Sequence, residues 1–572
     1  MFKNIKSIAA TVHIDKLSLT FGVLLSLCST IASLVFPLLL KSIVDALIKN
    51  TFSFKYISLL IIVASLDLIF TGLSMYLLAK VGEKVVLNLR EKIWKKILDL
   101  NLNFFEKNSS GEIVSRLMND TNLLTEIFST EVAEFITSIF TIIGTLIILV
   151  KIDPLLTSVI IITVPFLAIV LIPLGKFLFK NSKDVQNANA NSSKYIVDRI
   201  NNIRLLKMSD TFEQEINSGN NNFEKIYSTD MRRNKIQSIV TPIIMMILVS
   251  TIISIIFLGA YRVIKGNVSP GNLFAFVVYI IQLMPPIITT ATFWNKINVA
   301  LGATNRIYNI LNMSGETENN QIEISSNAKN VVYSLKLKNI TFIKDKNNII
   351  DNFSYTFEKD NFYNVVGFSG AGKSSLFNLI CKFYSPTSGT LYINGKDELP
   401  IKEWRNKIAY ITQSVNMFEG TLKANLLYGV KETYTDEELL DLLEKVGLKD
   451  TVDKLPKGLD TMIARDSFQL SGGEKQRLAL LRGILSKKPI LLVDEVSSNV
   501  DSKNDHMIYE FLKKCNKNRI IITITHKLSN FEDNDHIILL KNGKIIASGN
   551  EKYLLENSSL YQELKKYYRG KN

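Results

Sequence analysis

Six stretches of the chain are apolar and long enough, or nearly so, to cross a lipid bilayer, and this feature limits the possible folds most. Inside hydrocarbon every backbone N–H and C=O must be paired within the protein, so each stretch is expected to be a helix. Hydrophobic residues make up 47% of the 572-residue chain, which agrees with a membrane protein that carries soluble parts. The predicted spans are Leu17 to Leu40, Tyr56 to Ala79, Phe135 to Val150, Pro154 to Gly175, Ile236 to Tyr261 and Gly271 to Trp294.

The connections between the spans alternate in length, and the two long ones, Lys80 to Glu134 and Lys176 to Lys235, are rich in Lys and Arg. By the positive-inside rule these loops, the N-terminus and the C-terminal half are predicted to be cytoplasmic. The net charge of +14 is therefore assigned to a cytoplasmic face and not to nucleic-acid binding. Helical spacing extends the spans beyond the bilayer, with turning points at Gly111 to Asp120 and Ile203 to Glu213 that could touch a soluble domain.

One acidic residue, Asp67, lies inside the second span, about 17 Å from its outer end at the helical rise. A carboxylate at that depth is expected to face the bundle interior, with a partner or water. Two roles stay open. Asp67 lines a polar pathway through the bundle that favours cationic solutes, or it ties two helices together, held by Ser65 or Thr71. Pro285-Pro286 in the sixth span predicts a kink or local unwinding.

The second half contains the glycine-rich stretch Gly367-Phe-Ser-Gly-Ala-Gly-Lys-Ser-Ser375, which fits G-x-x-x-x-G-K-[ST] between a strand and a helix. Its backbone N–H groups suit phosphate oxygens, with Lys373 reaching the β- and γ-phosphates of ATP and Ser374 reaching Mg²⁺. The residues predicted to contact the nucleotide here are Gly367, Ser369, Gly370, Ala371, Gly372, Lys373, Ser374 and Ser375.

An acid pair, Asp494-Glu495, follows the apolar strand Ile490 to Val493. Downstream of a phosphate-binding loop this arrangement predicts Asp494 on the Mg²⁺ shell and Glu495 beside the attacking water. The predicted fold class is an α-helical membrane domain with six spans and long cytoplasmic extensions, plus an α/β P-loop ATPase domain. Predicted boundaries are 1–313 for the membrane domain, 314–325 for a polar linker and 326–572 for the ATPase domain.

The stretch Leu470-Ser-Gly-Gly-Glu-Lys-Gln-Arg477 resembles the signature motif of ABC transporters, and the order of the two domains resembles bacterial half-transporters of the exporter type. The resemblance implies that Gln413 faces Mg²⁺ and that His526 contacts the γ-phosphate. It also implies a head-to-tail dimer in which one chain offers Asp501 and a signature loop to ATP bound by the other. The signature residues concerned are Ser471, Gly472 and Gly473.

Three positions depart from the family pattern. Glu474 replaces the usual glutamine after Ser-Gly-Gly. Lys344 stands where an aromatic ring normally stacks on adenine, so weak discrimination between nucleotide bases is expected. Ala464-Arg-Asp-Ser467 replaces a glycine-acid-arginine-glycine run. Because Glu495, His526 and the signature are intact, a homodimer with two working sites is expected, with a heterodimer as the alternative.

The function implied is ATP-driven export of a small molecule, lipid or peptide by alternating access, in the cell membrane, with the N-terminus and the ATPase domain in the cytoplasm. Two alternatives are import of a metal chelate through the same fold and, in another class, a soluble ATPase that does not transport. The expected cofactors are ATP and Mg²⁺. The expected partners are a second chain, membrane lipid and the cargo, without nucleic acid.

Overall fold

The computed structural model describes residues 15–51, 53–316, 332–397, 399–413, 415, 417–463, 470–495, 502–528, 531–532 and 535–569. Within the helices, the side chains at 128, 164–176, 178–180, 295, 502–505 and 569 are outside the description. The chain forms two compact units. The membrane unit comprises residues 1–94 and 114–311, and the ATPase unit comprises residues 95–113 and 312–572.

Long helices dominate the first 311 residues, and five in the described part are long and apolar enough to cross a membrane. The fourth predicted span lies at the start of α6, where most side chains are outside the description. A π-helical turn, Ile127–Glu131, joins α4 to α5. The helices are α1 Lys16–Ile48, α2 Phe54–Asp99, α3 Leu102–Lys107, α4 Ser110–Glu126, α5 Val132–Ile152, α6 Pro154–Asn201, α7 Ile203–Met208, α8 Phe212–Ile264 and α9 Pro270–Leu311.

The short turn between α5 and α6 shows how these helices begin and are tied together. Asp153 caps α6 by accepting hydrogen bonds from the backbone N–H groups of Leu155 and Leu156 at 2.9 and 3.0 Å. Its second oxygen accepts from Arg262 Nε at 2.6 Å, so the cap also binds the end of α8. Helix α9 continues through Pro285-Pro286, so the local unwinding predicted from the sequence does not occur.

Asp67 is half-buried and contacts another helix, as a carboxylate in a span should. Its Oδ1 accepts a hydrogen bond from Ser29 Oγ of α1 at 2.5 Å. Thr71, predicted as a direct partner, instead contacts Ser29 Oγ at 2.8 Å. Asp67 therefore joins α1 to α2 through a serine that its own helix does not supply.

The ATPase unit is built on a six-stranded sheet of order β11-β10-β3-β9-β8-β5, parallel except for the β10–β11 hairpin. A three-stranded antiparallel sheet, β2-β1-β4, adjoins it in the apolar core. The strands are β1 Ser334–Lys344, β2 Asn347–Glu358, β3 Phe362–Val366, β4 Ser388–Ile393, β5 Ile408–Ile411, β6 Gly420–Thr421, β7 Met462–Ile463, β8 Ile490–Asp494, β9 Ile520–Ile524, β10 His536–Lys541 and β11 Lys544–Gly549.

Short helices connect and cover these strands. A single 3₁₀ turn, Gly458–Asp460, precedes β7. The helices are α10 Lys373–Ile380, α11 Ile401–Asn406, α12 Leu422–Leu426, α13 Asp436–Lys445, α14 Lys449–Asp453, α15 Gly472–Leu485, α16 Ser502–Lys514, α17 Glu551–Asn557 and α18 Ser559–Arg569.

Residues 95–113 pack with the ATPase unit although they are distant from it in sequence. The backbone N–H of Glu316 donates to Asp99 O at 2.8 Å, and a Cβ on Gly315 would lie 1.7 Å from Asp99 Oδ2. A side chain at position 315 would therefore require the Asp99 carboxylate to move. Arg405 in turn holds Glu316, by donating to both of its carboxylate oxygens at 2.5 and 3.0 Å. The predicted linker thus begins in ordered structure, whereas its residues 317–325 are outside the described part.

Candidate functional site: a nucleotide cradle and an acid pair

The phosphate-binding loop follows the fully buried strand β3 and ends at the first turn of α10. Gly370 and Gly372 have φ angles of +79° and +98°, a region that side chains strain. A Cβ on Gly372 would also lie 2.7 Å from Ile349 O. The glycines therefore form the sharp turn that directs backbone N–H groups and the helix N-terminus towards one point, as a phosphate cradle requires.

Lys373 is 6% exposed and is the cation of this loop. Its Nζ donates to the carbonyl oxygens of Gly367 and Phe368 at 2.9 and 3.1 Å. Burial lowers the pKa of the ammonium group, and the charges of Glu495 and Asp494 oppose that shift. Lys373 is thus buried between the loop backbone and the acid pair, where a phosphate would provide a stronger partner.

Asp494 ends β8 and is 4% exposed. Tyr410 Oη donates to its Oδ2 at 3.3 Å, whereas Oδ1 is buried and has no hydrogen-bond partner among the described residues. Burial is the main cause that raises the pKa of this carboxyl, with a hydrogen bond from Ser374 acting against it. A buried carboxylate oxygen without a donor, beside a serine hydroxyl, matches the oxygen donors that Mg²⁺ prefers. The residues therefore fit a magnesium ion.

Glu495 stands between Gln413 and His526, which the family resemblance placed at Mg²⁺ and at the γ-phosphate, respectively. Its Oε2 accepts from Gln413 Nε2 at 2.6 Å, and its Oε1 lies 2.5 Å from His526 Nε2. The backbone has a positive φ of 51°, and its N–H donates to Ile524 O at 3.0 Å. Strand β9 therefore fixes the turn that presents this carboxylate, and three chain segments meet at it.

Tyr568, on the C-terminal helix α18, also belongs to this site, and sequence reasoning missed it. Its hydroxyl lies 2.5 Å from His526 Nδ1. Because Nε2 faces a carboxylate, which only accepts, Nε2 carries the proton and Nδ1 of a neutral ring accepts from the tyrosine. Burial raises the pKa of Tyr568, which keeps that proton on the hydroxyl. No motif marks Tyr568, since it is 42 residues from His526 in sequence.

The signature stretch begins α15 with a capping box. Ser471 Oγ accepts from the backbone N–H of Glu474 at 3.3 Å, and the Ser471 N–H donates to Glu474 Oε2 at 2.7 Å. Thr451 adds a hydrogen bond to Glu474 Oε1 at 2.6 Å. Burial alone would raise the pKa of Glu474. The hydrogen bonds from Thr451 and Ser471 outweigh burial, so the pKa of this carboxyl is lowered. The replacement of glutamine by glutamate is therefore accommodated at this helix start, beside Gly472 and Gly473.

Two predicted features cannot be placed. Asp501, expected to reach across a dimer, and the run Ala464 to Ser467 both lie outside the described residues. Ser369 and Ser375 lie within the loop and the first turn of α10, and Ala371 is buried with its carbonyl accepting from Gly543 N–H at 3.1 Å. The described members of the predicted set around Lys373 and Glu495 thus follow the ends of β3, β5, β8 and β9.

Lys344, at the position expected to lack an adenine-stacking ring, is held by two side chains. Its Nζ donates to Glu106 Oε2 at 2.9 Å and to Tyr384 Oη at 3.3 Å, and it lies 4.8 Å from the centre of the Tyr384 ring. Tyr384 also donates to Glu106. Hydrogen bonds from Tyr384 and then Lys344 lower the pKa of Glu106. The position expected to face the nucleotide base is thus linked to residues 95–113.

A phosphate cradle, an acid pair and a second glycine-rich helix start, in a chain with several apolar spans, define an ATP-driven membrane transporter. The family model for the ABC transporter transmembrane region matches residues 19–287, and the model for the ABC transporter matches residues 350–498. An export-type ATP-binding/permease protein of Rickettsia felis is 30% identical over 557 residues, or 95% of each chain. The chain belongs to the ABC transporters and is a half-transporter with a membrane region fused to an ATPase domain.

Two further relatives bear on the direction of transport. A multidrug resistance ABC transporter ATP-binding and permease protein of Lactococcus lactis is 27% identical, with 94% of this chain and 91% of the relative covered. An ATP-dependent lipid A-core flippase of Syntrophus aciditrophicus is also 27% identical, with coverages of 94% and 89%. This multi-pass membrane protein binds nucleotide and couples ATP hydrolysis to export. The relatives do not favour metal-chelate import or a soluble ATPase.

Proposed function

We propose that two copies of this chain export a small amphipathic molecule from the cytoplasm across the cell membrane, each chain hydrolysing ATP at its cradle. The Lactococcus and Syntrophus relatives carry names that refer to multidrug resistance and to lipid A-core, and both kinds of cargo join an apolar to a polar part. The Lys- and Arg-rich loops support a cytoplasmic ATPase unit. The small molecule, lipid and peptide classes all contain amphipathic members.

The observation that carries the assignment of residue roles is the position of Glu495. Gln413 and His526 hold its two oxygens, and Lys373 and Asp494 lie next to it. In this arrangement Glu495 accepts the proton of the attacking water, and His526 and Gln413 orient the groups around the γ-phosphate. Lys373 and the loop N–H groups bind the β- and γ-phosphates.

Magnesium is part of the proposal. Ser374, Gln413 and Asp494 would hold it, because Asp494 Oδ1 is buried without a donor and the other two side chains offer neutral oxygens. When bound, the ion neutralises phosphate charge during transfer. Asp494 then positions the metal while Glu495 keeps its free lone pairs for the water.

A second chain is part of the proposal. Ser471, Gly472 and Gly473 start α15, a different helix from the one that the phosphate-binding loop starts. The family resemblance assigns this second helix start to ATP that the opposite chain binds. We assign the signature loop and Asp501 to the nucleotide of the partner chain, which makes a homodimer with two equal sites.

Glu495→Gln tests the assignment of the general base. The amide keeps the shape and the contact to His526 but cannot accept a proton, so ATP turnover should fall by roughly 100-fold or more. Nucleotide affinity should stay within about two-fold of wild type. The measurement is phosphate release and fluorescent-nucleotide binding by the full chain in lipid nanodiscs.

Glu510→Gln is the matched control, since Glu510 is an exposed carboxylate on α16 that, among the described residues, pairs with His506 and Lys514 of its own helix. It should leave turnover unchanged. Near wild-type turnover of Glu495→Gln would mean that another group accepts the proton.

A further inference from the structure

Between α1, α2 and the turn into α5 lies a cavity of about 200 Å³ within the membrane unit. Eight of the twelve described residues that line it are Ser or Thr, so its wall is polar. Its volume is below the roughly 300–1,000 Å³ of pockets that enclose drug-sized ligands. It therefore suits a polar head group and a few carbon atoms.

The hydroxyl protons around the cavity are used inside the protein. Five of these side chains donate to carbonyl oxygens of their own helices, at distances of 2.7 to 3.1 Å. They are Ser26, Thr30, Ser129, Thr130 and Thr137. A hydroxyl that has donated its proton still offers lone pairs. These side chains consequently present acceptors, and not donors, to a ligand.

The remaining three hydroxyls follow the same rule. Ser74 donates to Gly22 O of α1 at 2.8 Å. Ser29 has one proton and gives it to Asp67, so Thr71 must be the donor in the contact between Thr71 and Ser29. All eight protons are thus committed, and the Thr71–Ser29–Asp67 chain ends at a carboxylate behind the cavity wall.

Carboxylates give the cavity negative charge. Glu134 lines it, and none of the twelve described lining residues is Lys or Arg. Nearby, Lys296 forms an ion pair with Glu131, whose other oxygen is buried without a partner among the described residues. Lys296 also lies near Glu134 and Glu126, so one lysine faces three acids, and the remaining negative charge attracts a cation.

The π-helical turn Ile127–Glu131 supplies part of the lining. Such a turn widens the helix by one residue and is frequent at functional sites. Here it brings Ser129 against Gly82 of α2, where a Cβ on the glycine would lie 2.4 Å from Ser129 Cβ. The close approach directs Ser129 and Thr130 into the cavity and fixes the wall of acceptors.

We propose that this cavity binds the head group of the cargo and that the head group is a protonated amine with N–H donors. Primary ammonium satisfies several acceptors at once and carries the charge that Glu134 and Asp67 require, whereas its carbon chain contacts Leu78 and leaves past the exposed Met75. In the topology proposed above, the cavity lies on the cytoplasmic side of Asp67. This inference rests on the proposed export function.

The test uses the purified full chain in nanodiscs and three probes with the same carbon chain, which are n-hexylammonium, n-hexyltrimethylammonium and 1-hexanol. Titration calorimetry with empty nanodiscs subtracted measures binding. Hexylammonium should bind at least about five-fold more tightly than the other two, because only it has both charge and N–H donors. Equal affinity for either comparison probe would overturn the proposal.

Glu134→Gln and Asp67→Asn should each weaken hexylammonium binding by about five-fold or more and leave 1-hexanol binding unchanged. Glu134 is exposed and Asp67→Asn keeps an acceptor for Ser29, so both variants should fold, which elution as a single species in size-exclusion chromatography checks. Glu83→Gln, on α2 but outside the cavity lining, is the matched control. Unchanged affinity for hexylammonium in both cavity variants would mean that the probe binds outside this cavity and would overturn the proposal.

The outcome is separable from the proposed export function. Basal ATP hydrolysis that is lost in Glu495→Gln supports the ATPase assignment whether or not hexylammonium binds. If Glu495→Gln kept its ATP hydrolysis while hexylammonium still bound, the cavity would remain an amine site, but its link to exported cargo would be lost.

Discussion

At the scale of single residues, the most unusual feature of the ATPase unit is the ammonium of Lys344 at the position expected to face the nucleotide base. It is bound by Glu106 and lies over the Tyr384 ring, so it is held in one place and not solvated freely. An ammonium can approach either adenine or guanine. It does not offer the flat surface on which a stacked base is distinguished by its size and polarity. Base selection should therefore be weak.

Lys344→Tyr should restore selection. A stacked ring contributes roughly 0.5–1.5 kcal/mol, so the Michaelis constant for ATP should fall by about three-fold relative to that for GTP. Turnover of both nucleotides over a concentration series measures this. Lys338→Tyr, exposed on the same strand, is the control, and Glu106→Gln separates loss of the ion pair from gain of the ring. Unchanged constants for both nucleotides would refute the base-binding role of position 344.

At the scale of elements, the C-terminal helix α18 acts on the catalytic centre through one hydroxyl. Glu495 selects the His526 tautomer with the proton on Nε2, and the Tyr568 hydroxyl then donates to Nδ1 and orients the ring. The neighbouring Tyr567 packs edge-on against Phe368 of the phosphate-binding loop, with ring centres 5.8 Å apart. One helix end therefore contacts both the histidine and the cradle.

Tyr568→Phe should lower turnover while sparing nucleotide binding. Loss of a neutral hydrogen bond costs about 1 kcal/mol, which is about five-fold in kcat, whereas KM for ATP should change by less than about two-fold. Steady-state hydrolysis gives both numbers. Tyr553→Phe, on α17, is the control with an exposed ring. A rise in KM with constant kcat would indicate that α18 supports the cradle and not the histidine.

The elements that sequence predicts best are those whose signal is local. The glycines of the phosphate-binding loop, the buried strand before Asp494 and the hairpin at Asn542-Gly543 each carry their geometry within a few residues. The same holds for the apolar spans. By contrast, the Ser29–Asp67, Glu106–Lys344 and Tyr568–His526 contacts join distant segments, and no periodicity relates their positions. The prediction that Ser65 or Thr71 holds Asp67 directly was wrong because it used the hydroxyls nearest in sequence, whereas the partner, Ser29, is on another helix.

At the scale of the whole molecule, the proposed dimer places each working site across two chains. A Lys373→Ala chain lacks a working cradle, and a Ser471→Ala chain lacks a working signature, so either homodimer should be nearly inactive. Co-expression of the two, followed by double-tag purification of mixed dimers, should restore ATP hydrolysis at one site per dimer.

Phosphate release by the mixed dimers, with each homodimer as reference, measures this complementation. If the mixed dimers were no more active than either homodimer, both of their sites would be damaged. The cradle and the signature of the same chain would then act together. That result would exclude the head-to-tail arrangement.

The membership of residues 95–113 in the ATPase unit has a consequence for how the chain is made. A ribosome releases Asp99 and Glu106 about 200 residues before Gly315 and Lys344, their partners, and at ordinary synthesis rates the delay is on the order of tens of seconds. During that interval the tip of the α2–α4 hairpin has none of the surface it later packs against. A fragment that begins at residue 312 omits this tip, so Lys344 would lose Glu106 and the Glu316 backbone N–H would lose Asp99 O. A synthetic peptide of residues 95–113 would supply the missing piece.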